Sequence, residues 1–203
     1  ELFEIVPGYA ADNAQLEVGD KILAINNEPV EDWNDLSIVM SSLDQSWIDV
    51  MYERDGASFV EINVNVSVAV QMAGITNTYI DPDTDEITIY RDPIIGQSYG
   101  RARSDGGLLE GDIIESIIIN NESHDIENWD DIVSVFRQYD RGEIVVVYER
   151  DGILNNAYYD MISANALTKL GSQPIVFQLG VSPSTSFDWN YSLLYAPRRF
   201  YSD

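Results

Sequence analysis

The chain has 203 residues, 45% of them hydrophobic and 11% aromatic, which is enough to bury real cores and too much for a disordered chain. Its formal net charge is -24, from 35 Asp and Glu against 11 Lys and Arg, so nucleic acid and anionic lipid are excluded as partners, since binding either rests on cations that neutralise phosphates. The absence of cysteine removes disulfides, thiol nucleophiles and thiolate metal sites, and no run of roughly 18 apolar residues predicts insertion into a bilayer.

In chain order, the apolar run from Leu2 to Val6, broken by Glu4, predicts an edge strand, and Pro7-Gly8 ends it in a turn. Ala10 to Ala14 reads as a short helical turn of small residues. Gly19-Asp20 supplies a tight turn into a buried strand over Ile22–Ile25, which Asn26-Asn27 closes as a polar turn. Asp32 and Asp35 suit a helix N-terminus, and Trp33, Leu36, Val39, Met40 and Leu43 recur at helical spacing as one apolar stripe. Trp47 to Arg54, the turn Asp55-Gly56 and Phe59 to Val66 predict a hairpin.

The same unit then returns. Tyr52-Glu53-Arg54-Asp55-Gly56 recurs letter for letter as Tyr148-Glu149-Arg150-Asp151-Gly152; Gly19-Asp20 matches Gly111-Asp112, Asn26-Asn27 matches Asn120-Asn121, and Trp33-Asn34-Asp35-Leu36 matches Trp129-Asp130-Asp131-Ile132. A period near a hundred residues is too long for a solenoid and predicts two small domains in tandem. In the second copy Asn128 and Asp131 take the capping positions, and Trp129, Ile132, Val133, Phe136 and Tyr139 form the stripe. Ile75–Ile80 and Glu86–Tyr90 flank Asp81-Pro82-Asp83-Thr84-Asp85 as a further hairpin. Its alternating carboxylates offer oxygen ligands for calcium, but the glycine and closing glutamate of a calcium loop are out of place, and a hairpin turn is the better reading.

Pro7-Gly8-Tyr9-Ala10-Ala11 followed by Leu16-Glu17-Val18-Gly19-Asp20-Lys21-Ile22-Leu23-Ala24-Ile25-Asn26-Asn27 resembles the core signature of bacterial and archaeal PDZ domains, and Gly107-Leu108-Leu109-Glu110-Gly111-Asp112 resembles it again. Leu179-Gly180-Val181-Ser182-Pro183-Ser184, with Tyr191 to Pro197, is similar to the segment by which site-2 proteases of the regulator of sigma-E protease type leave their PDZ region and re-enter the membrane. The resemblance implies an α+β, mainly β fold: two PDZ-like domains over 1–70 and 71–168, each a small, partly open β-barrel or sandwich with two short helices. Residues 169–203 would be a C-terminal extension leading toward a membrane span of the parent protein.

It also implies function. A PDZ domain takes an extended peptide as an added strand and holds a terminal carboxylate on the amides of a Φ-Gly-Φ loop. The positions that would carry this are Ile94, Ile95, Gly96 and Gln97 with Trp129, Ile132, Val133 and Phe136 in copy two, and Leu2, Phe3 and Ile5 with Leu36, Val39 and Met40 in copy one. Copy one begins too late to own the loop, so copy two is the expected binder, with Gly96 supplying close backbone approach or a positive φ.

No catalytic residues are expected in this chain. The zinc motif of that protease family, His-Glu-x-x-His, is absent, His124 is the only histidine, and no nucleophile has a base. Cofactors are none here, and zinc belongs to the parent protein. The implied partners are peptide or protein C-termini and transmembrane substrates, gated by end-binding or by exclusion of bulky ectodomains, on the extracytoplasmic (periplasmic, extracellular or luminal) face of a membrane. The start at Glu1 without initiator methionine or signal peptide suggests a piece of a longer protein. Sequons at Asn65, Asn121 and Asn190 fit that address, and the charge fits a salt-rich habitat equally. The alternatives are the PDZ pair of a secreted trypsin-like serine protease and a stand-alone peptide-binding scaffold.

Overall fold

A computed structural model describes residues 1–182. The chain divides into two compact units, one made of Glu1–Met40, Trp47–Val66 and the described residues from Gln178 on, the other of Ser41–Ser46 and Ser67–Phe177. Both are mainly β, and the described strands form open sheets, with no closed barrel among them.

The first unit is built on a four-stranded antiparallel sheet in the spatial order Glu28–Pro29, Lys21–Ile25, Trp47–Arg54, Ala57–Asn65. The second repeats it as Glu122–Asp125, Ile113–Ile119, Glu143–Arg150, Ile153–Asp160. Residue chemistry dictates the turns. Asn26 and Asn27 sit at φ 48 and 67, Asn120 and Asn121 at 51 and 67, and Asp55-Gly56 and Asp151-Gly152 likewise at positive φ. Paired left-handed residues make the two-residue turn whose twist matches that of the flanking strands, and Asn, Asp and Gly tolerate it best. Even the irregularities recur: the register slips between Ile22 and Ala24 in one sheet and between Ile114 and Ser116 in the other, at corresponding places.

The predicted helices form as Trp33–Ser42 and Trp129–Arg137. In the first, Asp32 Oδ1 accepts the Asp35 N–H at 2.9 Å. In the second, the Asn128 side chain accepts the N–H groups of Asp130 and Asp131 while Asp131 accepts that of Asn128, a reciprocal box that satisfies otherwise orphaned donors. The acidic loop is a hairpin turn, with Thr78–Ile80 paired to Ile87–Ile89 and Asp81 accepting the Asp83 and Thr84 amides at 2.8 and 2.9 Å. Those amides hold the Asp81 carboxyl below its ordinary pKa.

The course of the chain differs from the boundaries expected at residues 70 and 168. The described residues after 168 are part of the two units: Ile175–Gln178 joins the sheet of Gln97–Ser98, Ile75–Thr76 and Ser67–Val70, while Val181–Ser182 pairs antiparallel with Glu4–Ile5 in the first. The reason lies in a second, shorter repeat. Ala73-Gly74-Ile75-Thr76 and Leu179-Gly180-Val181-Ser182 supply the same strand to each unit. Gly74 and Gly180 take φ 71 and 81, and their carbonyls accept the N–H groups of Tyr99 at 2.9 Å and Val6 at 2.8 Å. Both positions need glycine twice over, for the positive φ and because a Cβ would strike Tyr99 O in one unit and the Tyr9 side chain in the other. The first unit is thus interrupted by the second. The expected membrane re-entry segment beyond Ser182, including Tyr191 to Pro197, lies outside the described residues.

Candidate functional site

Each unit presents the strand that PDZ logic would use for a peptide, and each fixes it with the same two devices. Leu2 and Ile95 are anchored to the Gly-Asp turn: the Leu2 N–H donates to Asp20 O and the Gly19 N–H to Leu2 O, both at 2.8 Å, and Ile95 does the same with Asp112 and Gly111 at 2.8 Å. One residue on, the Phe3 N–H donates to Ser182 O at 3.1 Å, and the Gly96 N–H to Thr76 O at 2.8 Å. Leu2-Phe3-Glu4 therefore occupies the place of Ile95-Gly96-Gln97, so copy one has the expected strand and also the position that corresponds to the loop it was expected to lack. Phe3 stands where copy two has glycine.

Beneath each anchor lies the letter-for-letter repeat. Arg54 donates through Nε and its terminal nitrogen to both oxygens of Asp20, each at 2.7 Å, and Arg150 grips Asp112 with the same two distances. Both aspartates are 1% exposed. Each also accepts a backbone N–H, from Glu17 at 2.7 Å and from Leu109 at 2.8 Å, so neither carboxylate is left unsatisfied. The guanidinium groups sit 5.3 and 5.1 Å from the rings of Tyr52 and Tyr148. Arg54 holds the Asp20 carboxyl below its ordinary pKa, despite the opposing pull of burial. The sequence contained both halves of this cluster, Gly-Asp and Tyr-Glu-Arg-Asp-Gly. The joint repetition of both halves, 34 residues apart in one copy and 38 in the other, is the signal that pairs them.

These hydrogen bonds bear directly on carboxylate capture. A Φ-Gly-Φ loop holds a chain end on amides that point into the groove. Here the N–H groups of Ile95 and Gly96 already donate to Asp112 and Thr76, that of Ile94 to Asp92 at 2.7 Å, and those of Leu2 and Phe3 are engaged likewise. Gly96 does not adopt a positive φ. Glycine is required there for space alone, since a Cβ would collide with the backbone of Thr78.

The helix expected to wall the groove in copy two turns its stripe inward. Trp129, Ile132, Val133 and Phe136 are all buried, and the Trp129 indole N–H donates to Ile94 O at 3.0 Å, which ties helix to strand. Ile95 and Gly96 are buried, while Ile94 and Gln97 are half-buried. The sequence pattern placed these residues on one face correctly, but periodicity cannot tell a groove wall from a core. In copy one Leu2, Leu36 and Met40 are buried, Ile5 and Val39 are half-buried, and Phe3 is 51% exposed. Both candidate strands lie at an edge: among the described residues Glu4–Ile5 neighbours only Val181–Ser182, and Gln97–Ser98 only Ile75–Thr76.

No group of three or more His, Asp or Glu side chains that could hold a metal ion occurs among the described residues. His124 Nε2 lies 2.8 Å from Tyr139 Oη, which in turn donates to Glu122 at 2.8 Å, so the one imidazole sits in a surface hydrogen-bond chain.

The PDZ domain family model matches residues 3–43. That span runs from the Phe3 position through the Gly-Asp turn and the first hairpin to the end of the helix Trp33–Ser42. No curated protein matches the chain.

Proposed function

We propose that this chain is the non-catalytic regulatory module of an intramembrane site-2 zinc metalloprotease: two PDZ-like units on the extracytoplasmic side that decide which transmembrane substrates reach a zinc centre carried elsewhere in the parent protein. Of the two gating modes, this reading favours a steric and strand-pairing filter over capture of a free carboxyl end. One observation carries that preference: at the head of both candidate strands the amides that would receive a carboxylate already donate to backbone carbonyls. Unmaking two such bonds costs about 1 kcal/mol each before any ligand is gained. The acidic surface adds a repulsive field against an incoming carboxylate. What remains available is the outer edge of Glu4–Ile5; in the same unit the helix Trp33–Ser42 keeps Val39 half-buried and Ile38 exposed.

The test compares each member of a hydrophobic peptide library as a free acid and as a C-terminal amide, titrated against the chain. The two forms should bind equally. A preference for the free acid above ~tenfold, equivalent to about 1.4 kcal/mol, would restore end-capture. In the parent protease, cleavage should fall as the substrate ectodomain grows, and deleting both units together should abolish that size dependence.

A further inference from the structure

The repeat is an internal control for what the fold demands. Where both units keep a residue, the architecture needs it; where one departs, something else does. The sharpest departure lies on the outer strand of each hairpin. Tyr52 pairs with Phe59 and Met51 with Val60; in the identical register of the other unit Tyr148 pairs with Asn155 and Val147 with Asn156. The fold thus accepts Asn-Asn where the first unit has Phe-Val.

Those apolar residues are not buried in exchange. Phe59 is 44% exposed, Val60 52% and Ile62 67%, and from Ala57 to Asn63 only Glu61 is even half-buried. Phe59 lies over Tyr52 at 5.5 Å between ring centroids, which keeps it standing on the sheet. The strand is an edge: among the described residues Ala57–Asn65 has Trp47–Arg54 on one side and no strand on the other. No lysine or proline blunts it, and the chain stays regular until Asn63, whose φ of 55 ends the usable stretch. The hairpin carries carboxylates at Asp49, Glu53, Asp55 and Glu61 and a single cation, Arg54, which is fully engaged by Asp20 and Glu17.

We propose that Ala57–Ile62 is a docking edge for an extended segment of a partner polypeptide in which apolar residues alternate with Lys or Arg. The segment adds as a further strand. Backbone hydrogen bonds supply affinity, its apolar side chains lie against Val60 and Ile62, and its cations meet the surrounding carboxylates. A second copy of this chain is the poorer occupant, because it would bring a second charge of -24 to the same edge. This surface is separate from the strand Glu4–Ile5 invoked above, so either can fail without the other.

The probe is the synthetic peptide acetyl-Lys-Val-Arg-Val-Lys-Val-Arg-amide, titrated against the whole chain, with a control in which Glu replaces each Lys and Arg. The basic peptide should bind, weaken at least ~tenfold from low to molar salt, and slow hydrogen exchange of the amides in Ala57–Ile62; the acidic peptide should not bind. The variant F59N/V60N, which imports the other unit's residues, should lose at least ~tenfold in affinity while still melting cooperatively. The reciprocal variant N155F/N156V should gain a second site on Ile153–Asp160. The proposal fails if the basic peptide does not bind, if exchange protection falls elsewhere, if F59N/V60N binds as well as the parent, or if the same amides become protected with rising protein concentration alone, which would identify a second copy as the occupant.

Discussion

The two units share a skeleton and spend it differently. Both lock a Gly-Asp turn by pairing its buried Asp with a half-buried Arg, stack that Arg on a Tyr, and hang the candidate peptide strand from the turn. The second unit then closes over its strand, with Gly96 pressed on Thr78, Trp129 bonded to Ile94, and the helix stripe buried. The first leaves Phe3, Ile38 and the Phe59–Ile62 edge in solvent. Identical letters mark what holds a unit together, and the places where the copies diverge mark where recognition is free to evolve.

The largest effect should come from the lock. Arg54→Ala strands a buried carboxylate; a fully buried pair would lose about 3–5 kcal/mol, and the partly open arginine reduces that to roughly 2–4. Arg150→Ala should cost less, because Arg54 also bonds Glu17 and Gln15 O whereas Arg150 adds only Gly107 O. Urea melts of both variants decide, and the reverse order would mean that the added bonds of Arg54 to Glu17 and Gln15 do not set the cost. Arg54→Lys should recover less than half, as an ammonium cannot span both carboxylate oxygens.

Next comes the shared strand position. Gly96→Val should lose ~1–3 kcal/mol from overpacking against Thr78, whereas Phe3→Val in the same register should change stability by less than about 1 kcal/mol, its side chain being half in water. Equal effects would show that the second unit is no more closed than the first.

The acid limb sharpens the comparison further. The folded-state pKa of Asp20 is depressed, so its contribution is fully present above the ordinary carboxylate value of about 3.9 and is lost as pH falls through the lower folded value. Melts from neutral pH down to about 2 should show that loss in the parent, and the loss should vanish in Arg54→Ala. The smallest effect is global: a rise in melting temperature of a few degrees from low to molar sodium chloride, roughly the equivalent of 1 kcal/mol, as screening relieves carboxylate repulsion. A flat response would mean that the -24 costs the fold nothing.

Much of the fold was legible because local chemistry agreed with it. The Asn-Asn and Asp-Gly turns, both hairpins and the caps at Asp32 and Asn128 follow from short-range rules and formed where expected. The interrupted course of the first unit was not legible. It depends on the four-residue echo of Ala73-Gly74-Ile75-Thr76 in Leu179-Gly180-Val181-Ser182, too short to stand out beside the longer repeat. The site was legible only in its placement: Ile94–Gly96 and Trp129 do come together, but whether an amide is spent or a tryptophan covered depends on long-range partners such as Thr76 and Asp112 that no spacing announces.

The interruption of one unit by the other has a consequence for synthesis. Glu4–Ile5 is made before the second unit, yet its partner Val181–Ser182 is made only after every residue of that unit. At about 5–20 residues per second, the first unit's strand Glu4–Ile5 waits roughly ten to thirty seconds for its partner, while the second unit's last strand, Ile175–Gln178, precedes that partner by only a few residues. Both units are therefore completed almost together, by the short stretch Ile175–Ser182, and until then the first carries an unpaired strand Glu4–Ile5.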